Sequence, residues 1–283
     1  MAALDKPLVV LGATRSGTSM TSRVLMRHPD VAFWMEPKYM WKVGRPLAPD
    51  DVRTADEATP SVRKYIRKQF EAFAEKEGKP RFMEKTPSNC FRVPFVHAVL
   101  PEAKFLHVVR DGRDVTRSAL RMWTKTPDKR ALKRRLSNLE IPLRDAPFYA
   151  ASVLRDVVGR QLFPAKAFVW GPQFPGIREV REEHGVLGAC ATQWRESVSA
   201  ALAGLEGVPE DQQMTVRFED VMADPEGVMS MILEFFELPP STEVRDYART
   251  FVDKDNGTSY EDELDPAEID PFLEPLRSQL GYS

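Results

Sequence analysis

Five short apolar stretches recur along the 283-residue chain, separated by stretches with helical character. They are residues 8–12, 31–36, 81–85, 104–110 and 214–221. Runs of this length are typical of strands buried in a parallel sheet, while the longer stretches between them suit helices packed on its faces. The alternation therefore predicts an α/β fold with a parallel sheet flanked by helices.

Capping residues indicate where several of the helices begin. Asp is a favoured residue at the N-cap, and Pro is favoured at the first helical position. The predicted starts are Gly17, the Pro60–Ser61 pair, the vicinity of Asp114, and the Asp224–Pro225 pair.

The region from about residue 121 to 190 breaks this alternation. It contains the basic run KRALKRR, a patch rich in proline, glycine and aromatic residues, and no clear strand. Insertions of this kind often carry substrate specificity. We therefore expect one domain over residues 1–283, with a substrate-binding insertion at about 121–190.

Composition narrows the possible partners and location. The formal charge of -2 at pH 7 argues against a general nucleic-acid partner. No apolar stretch approaches the roughly 18 residues needed to span a bilayer, and the N-terminus does not resemble a signal peptide, so we expect a cytoplasmic protein. Cys90 and Cys190 stand far apart without a CxxC or His-rich context, which supports neither a disulfide framework nor a zinc site.

The first apolar stretch runs into GATRSGTS, residues 12–19, and then into a helical pattern. This context resembles the phosphate-binding loop G-x-x-x-x-G-K-[ST], except that Thr18 stands where that loop has lysine. The same residues could serve simply as a tight turn between strand and helix. As a phosphate loop, they would direct backbone N–H groups at an anion over the helix N-terminus. Those groups belong to Ser16, Gly17, Thr18 and Ser19.

The loop supplies its own cation in place of the missing lysine. Arg15 lies three residues before Thr18, and its guanidinium suits a less highly charged group than a magnesium-bound γ-phosphate. The stretch 104–110 ends on Arg110 before it reaches Asp111, so no carboxylate closes the strand as a magnesium ligand should. We therefore expect a site without metal, balanced by cations of the protein.

Four motifs in this order identify a family. They are RSGTS at 15–19, EKTP at 84–87, RDGRDVTRS at 110–118 and VRFEDVMADPEG at 216–227. Together they resemble the sulfotransferases that use 3'-phosphoadenosine 5'-phosphosulfate (PAPS). The resemblance implies that the loop binds the 5'-phosphosulfate and that the transferred group is a sulfuryl.

The resemblance also implies which residues hold the donor. The 5'-phosphosulfate would be gripped by Arg15, Ser16, Gly17, Thr18 and Ser19. Arg110 and Ser118 are spaced as the family's pair for the 3'-phosphate, where an arginine fork and a hydroxyl both donate to phosphate oxygens. Residues 252–264 resemble the C-terminal loop that closes over the donor, which adds Lys254, Gly257 and Thr258, with Asn256 and Ser259 beside them.

The general base distinguishes the subfamilies. Cytosolic arylsulfotransferases have K-T-H at the EKTP position and use that histidine, whereas this chain has Pro87 there. The loop and the following HPDVAFWMEP are more similar to tyrosylprotein sulfotransferases and related bacterial enzymes, whose catalytic glutamate has the spacing from the loop that Glu36 has from Arg15. The resemblance thus implies Glu36 as the base, with Lys85 and Arg15 stabilising charge on the bridging oxygen.

The sequence accordingly predicts in-line sulfuryl transfer from PAPS to a hydroxyl, with release of adenosine 3',5'-bisphosphate (PAP). The sequence leaves the acceptor open between a small molecule, a carbohydrate and a peptide. Several tryptophans flank the side of the site where the acceptor is expected. They are Trp34, Trp41, Trp123 and Trp170. Two other functions remain: a kinase with a degenerate phosphate loop, and a non-catalytic nucleotide-binding protein.

Overall fold

A five-stranded sheet forms the centre of the protein. The computed structural model describes residues 4–124, 169–254 and 264–282. The strands are β1 (Leu8–Leu11), β2 (Val31–Met35), β3 (Arg81–Lys85), β4 (Lys104–Val109) and β5 (Gln213–Arg217). Their order across the sheet is β2-β3-β1-β4-β5, and every neighbouring pair is parallel. The predicted α/β fold with a parallel sheet is confirmed.

Helices cover both faces of this sheet. Those of the first half are α1 (Thr18–Leu25), α2 (Pro60–Glu77), α3 (Val93–Val99) and α4 (Gly112–Thr124). Those of the second half are α5 (Ile177–Leu205), α6 (Phe218–Ala223), α7 (Pro225–Phe235), α8 (Thr242–Lys254), α9 (Pro266–Leu273) and α10 (Leu276–Gln279). Short 3₁₀ turns occupy Met40–Lys42, Ala55–Glu57, Pro87–Arg92 and Glu210–Gln212. Within the described ranges, no helix has the length and apolar character needed to cross a bilayer.

The predicted helix starts agree with the caps. Gly17 caps α1, and the Asp224 side chain accepts a hydrogen bond from the Gly227 N–H ahead of Pro225. The stretch 214–221 was expected to be one strand, and this is wrong for its second half, because β5 ends at Arg217 and α6 follows. Two acidic residues in the first turn of α6 favour the helix by interacting with its dipole.

The two faces of β1 divide the core. Val9 and Leu11 pack on one side and Leu8 and Val10 on the other, as the alternation of a strand requires. The first side is covered by α2, α3 and the end of α5, and the second by α1, α7 and α8. Representative contacts are Ile66, Phe70, Phe95 and Ala201 on the first side, and Met20, Ile232 and Val244 on the second.

The expected insertion is described only in part. Residues 125–168 lie outside the described residues. Residues 177–190 form the first half of α5, which departs from helical geometry at Gly185 and places the buried Trp194 against Val115 of α4. The role of the insertion in acceptor binding, and the single domain over 1–283, stay predictions.

The strand order creates a crevice. The central β1 is followed in sequence by β2 on one side of it, and the chain later crosses to β4 on the other side. Parallel sheets of this kind bind ligands at the carboxyl ends of the strands, where the direction of winding switches. The loop after β1 therefore opens at the position where a ligand is expected.

Candidate functional site

The loop between β1 and α1 has a backbone that only glycine can adopt at two points. Gly12 has φ 152° and Gly17 has φ 89°. A Cβ atom at Gly12 would lie 2.5 Å from the Val108 carbonyl oxygen, and one at Gly17 would lie 2.1 Å from the Phe218 ring. The loop is thus held tightly against β4 and against the residue that follows β5.

This loop presents donors suited to an anion. The first N–H groups of a helix have no intrahelical acceptor, and those of α1 begin at Thr18. The Ser16 N–H, predicted to point at the anion, instead donates to the Ala13 carbonyl at 3.1 Å; the Ser16 side chain is 0% exposed, and its hydroxyl has no partner among the described residues. Ser19, in the first turn of α1, is exposed. Free N–H groups and hydroxyls beside Arg15 fit the phosphosulfate that the sequence predicts.

A cavity of about 380 Å³ opens in front of the loop. It is lined by Thr14, Arg15, Gly17, Thr18, Ser19, Met20, Arg23, Glu36, Lys85, Pro87, Arg110, Trp170 and Phe218. Cations outnumber carboxylates among these lining residues, where Glu36 is the one acidic side chain. Such a charge balance favours a polyanionic ligand. The structure thus brings the predicted base, both predicted catalytic cations and the phosphate loop to one cavity.

Arg15 connects the loop to α4. Its Nε donates to the Ser118 hydroxyl at 2.8 Å, and its own backbone has φ 70°. Arg110 lies 4.5 Å from the centroid of the Phe218 ring and donates to Asp114 at 3.1 Å. The predicted 3'-phosphate pair therefore lies near the loop, with Ser118 bound to Arg15.

Glu36 lies immediately after β2, between two lysines. Lys85 Nζ donates to Oε1 at 2.7 Å, and Lys38 Nζ lies 2.9 Å from Oε2. The Glu36 N–H also donates to the Lys85 carbonyl at 3.1 Å, which continues the β2–β3 ladder by one bond. Glu36 has φ 52°, an uncommon value for a residue other than glycine, and such strain concentrates at functional sites.

The two lysines determine the charge of Glu36. Burial raises the pKa of Glu36, but the positive charges of Lys38 and Lys85 and their hydrogen bonds to the carboxylate outweigh burial. The net pKa is lowered to about 2. Glu36 is therefore ionised throughout the neutral range. A carboxylate with so low a pKa is a weak base as long as both lysines hold it.

Glu84 is a site-supporting residue that sequence reasoning missed. It is fully buried beside Lys85, and its carboxylate accepts from Asn89 at 2.7 Å, Thr86 at 2.8 Å and Trp41 at 3.3 Å. Burial raises its pKa to about 7 against the lowering effect of these hydrogen bonds. Glu84 thus anchors the end of β3 through these hydrogen bonds. Its position in the EKTP motif was the sequence signal that could have indicated this role.

The C-terminal segment supports the RDGRDVTRS element. Arg277 donates to both carboxylate oxygens of Asp111 at 3.0 Å, and Arg113 pairs with Asp270 at 2.6 Å. No sequence motif indicated these pairs. They fix the backbone around Arg110 from a region more than a hundred residues away.

The remaining predicted residues have mixed outcomes. Lys254 is the last residue of α8, and Gly257 and Thr258 lie outside the described residues. Among the tryptophans, Trp170 lines the cavity, whereas Trp41 and Trp123 belong to the core. Over the described ranges, no group of three metal-binding side chains is found.

Comparison with known proteins decides the family. The profile described as the sulfotransferase family matches residues 7–146 and 150–243, which is most of the chain. The chain belongs to the sulfotransferase family. Both the loop and the RDGRDVTRS element of this sulfotransferase lie within the matched residues, and the predicted family is confirmed.

Individual relatives are distant. A protein-tyrosine sulfotransferase of Drosophila melanogaster is 23% identical over 265 residues, covering 89% of this chain and 42% of the relative. The chain thus spans less than half the length of that curated relative.

Solved structures share the fold. Sulfotransferase STF9 from Mycobacterium avium matches with TM-score 0.57 at 15% identity, over 100% of this chain and 78% of that one. The sulfotransferase domain from the curacin biosynthetic pathway matches with TM-score 0.53 at 13% identity, over 100% and 99%.

Proposed function

We propose that this protein transfers the sulfuryl group of PAPS to a hydroxyl of an acceptor and releases PAP. One observation carries the proposal: the Glu36–Lys85 pair opens into the same cavity as the glycine-containing loop with Arg15. A proton acceptor, a buried cation and an anion-binding loop are the groups that sulfuryl transfer to a hydroxyl requires. Family membership supports the reaction class.

The donor would be held by the cationic side of the cavity. PAPS supplies the sulfuryl group when bound, and PAP is what remains. The N–H groups at the start of α1 and the Arg15 guanidinium would bind the 5' end, and Arg110 with Ser118 the 3'-phosphate. The residues 254, 257 and 258 expected to close over the donor stay a prediction.

The chemical step would be divided between Glu36 and Lys85. Glu36 accepts the proton of the acceptor hydroxyl as the oxygen attacks sulfur. Lys85, only 1% exposed, then places its ammonium charge near the oxygen that leaves, where a buried cation is most effective. Pro87 lines the cavity at the position where arylsulfotransferases have their histidine, so the Glu36 carboxylate would act as the base instead.

The acceptor and the location follow as further proposals. The protein-tyrosine sulfotransferase among the relatives is named for a tyrosine acceptor, and the half-buried Trp170 in the cavity lining would suit a hydroxyl carried on a ring or a sugar. A cytoplasmic location stays a prediction from the sequence.

The experiment is a direct transfer assay combined with calorimetry. Purified protein with ³⁵S-labelled PAPS and a panel of phenols, sugars and peptides should yield labelled product and PAP. PAP should bind more tightly than ATP in the absence of metal. Binding of PAP without transfer to any acceptor would favour a non-catalytic nucleotide-binding protein.

Arg110 should discriminate nucleotides by their 3'-phosphate. Losing a hydrogen bond to a charged group costs about 1.5–3 kcal/mol, so Arg110→Ala is expected to weaken PAP binding roughly 10- to 150-fold. Binding of 5'-AMP should scarcely change, because it lacks the group that Arg110 would contact. Calorimetry with both ligands measures this, and equal losses for PAP and 5'-AMP would remove the assignment.

Turnover should survive chelation of metals. The loop lacks the lysine of the kinase-type phosphate loop, and the cavity offers protein cations in its place. We therefore expect the same rate with EDTA as with magnesium. A kinase requires the opposite, since Mg²⁺ bridges the β- and γ-oxygens of its donor. Activity that disappears with EDTA and returns with Mg²⁺ would favour the kinase.

A further inference from the structure

Both oxygens of the Glu36 carboxylate are occupied by ammonium groups. Oε1 accepts from Lys85 at 2.7 Å, and Oε2 lies 2.9 Å from Lys38 Nζ. A hydroxyl that gives its proton to Glu36 has to come within hydrogen-bond distance of one of these oxygens. Because each carboxylate oxygen can accept two hydrogen bonds, the hydroxyl either shares an oxygen with a lysine or displaces that lysine, and displacement leaves the carboxylate the stronger base.

Burial determines which lysine can move. The Lys85 side chain is 1% exposed and would leave an uncompensated charge in the interior if its pair were broken. The Lys38 side chain is 52% exposed, so water can solvate its ammonium group as soon as it leaves Glu36. Exposed ion pairs contribute little to stability, so separating Lys38 from Glu36 costs little free energy. Lys38 is accordingly the mobile partner.

A tight backbone turn places Lys38 next to Glu36. The Lys38 N–H donates to the Glu36 carbonyl at 2.7 Å across Pro37, which is the hydrogen bond of a γ-turn. The Met40 N–H then donates to the Pro37 carbonyl at 2.9 Å. Because proline fixes its own φ, this turn keeps the Lys38 side chain close to the carboxylate. The contact is thus built into the segment that follows β2.

We propose that Lys38 is a positioning residue for the base: it covers Oε2 of Glu36 in the free protein and yields that oxygen to the acceptor hydroxyl. The proposal rests on the function proposed above. It deepens that function by separating the two lysines, since Lys85 remains as the fixed cation of the chemical step while Lys38 competes with the acceptor.

Movement of Lys38 also changes the basicity of Glu36. The charged groups that face this carboxylate are Lys85 from β3 and Lys38 from its own segment, with Arg15, Arg23 and Arg110 lining the same cavity. Removing the nearest exposed positive charge raises the pKa of Glu36. The carboxylate would therefore become a better proton acceptor at the moment when the acceptor replaces Lys38.

The first arm of the test needs no acceptor. The Glu36 carboxyl carbon is followed by ¹³C NMR between pH 3 and 7 in the full chain labelled on glutamate, with its signal assigned by loss in Glu36→Gln. Wild type should show almost no titration over this range. Lys38→Met should titrate visibly at the acidic end of this range, because its midpoint lies higher by about one unit or more, and Lys38→Arg should again show almost no titration. The matched control, Lys42→Met, removes a positive charge four residues further along and should change nothing.

The second arm uses PAPS and the best acceptor from the transfer assay. Lys38→Met should lower the KM for the acceptor roughly twofold to fivefold, keep PAP affinity, and not lower kcat. An unchanged Glu36 midpoint in Lys38→Met overturns the proposal, and so does a raised acceptor KM, which would make Lys38 a binding residue. Wild-type protein without transfer to any acceptor refutes the proposed function, and the positioning role of Lys38 with it, whatever the titration shows.

Discussion

Replacing Glu36 by glutamine is expected to lower kcat by about 10²–10⁴ while PAP affinity stays near that of wild type. The glutamine side chain retains the size of Glu36 and can still accept the hydrogen bond from Lys85. It cannot accept the proton of the acceptor hydroxyl, so the loss of activity should fall on the chemical step, while the buried Lys85, left without its counter-charge, lowers the stability of the fold. Initial rates at saturating PAPS, together with calorimetry of PAP, measure the two effects separately.

Histidine variants provide the control for this result. His97 lies on α3 with its ring against Phe105, and His107 is fully buried in β4, where burial lowers its pKa to about 4. Neither ring is among the residues that line the cavity, so neither can reach a hydroxyl bound there. His97→Ala should therefore retain most of the wild-type kcat. If this variant were inactive and Glu36→Gln fully active, the base would be wrongly assigned.

Lys85→Met should have the second largest effect, a fall of about 10²–10³ in kcat, the usual effect of losing one group that stabilises developing charge. Methionine fits the narrow buried space with no charge. Because Glu36 remains paired with Lys38, no buried charge is left alone, so the variant is expected to fold. Single-turnover kinetics would show the loss in the transfer step, with PAP affinity reduced much less.

Lys104→Met is the matched control for Lys85→Met. Lys104 begins β4 at the amino end of the sheet, away from the cavity, and pairs with Glu237 at 2.7 Å. Its removal deletes one lysine from another strand of the same sheet and should leave kcat unchanged. A similar loss of kcat in both variants would indicate a general effect on the sheet rather than a role of Lys85 in the reaction.

Much of the fold could be predicted because its signals are local. The run LVVL is apolar throughout and KFLHVV is mostly so, as expected for strands covered on both faces, and they form β1 and β4. The caps at Asp224 and Pro60 likewise act over one turn. The end of β5 was misplaced because VRFEDV contains apolar residues at a spacing that suits either element, and the contacts around Phe218 favour the helix.

The site was predictable only as a set of segments. The phosphate loop, Glu36, Lys85 and Arg110 each lie beside a recognisable strand, and parallel strands bring their carboxyl ends together. The contacts between these segments are long-range and have no sequence signal. The hydrogen bond from Arg15 to Ser118 joins residues 103 positions apart, and the ring over Gly17 comes from Phe218. Lys38 was overlooked because an exposed lysine in a turn is ordinary until its carboxylate partner is located.

Because β2 lies at the edge of the sheet, the part of the site that contains Glu36 should open locally at a lower free energy than the part that contains the phosphate loop. The phosphate loop follows β1, which is paired on both sides, whereas Glu36 follows a strand that, within residues 4–124, 169–254 and 264–282, pairs only with β3. Local opening costs least free energy where a segment has few neighbours. Local opening of β2 would displace Glu36 from the cavity and leave the phosphate loop after β1 in place. The protein would then still hold its nucleotide but no longer turn it over, and inactivation would precede unfolding.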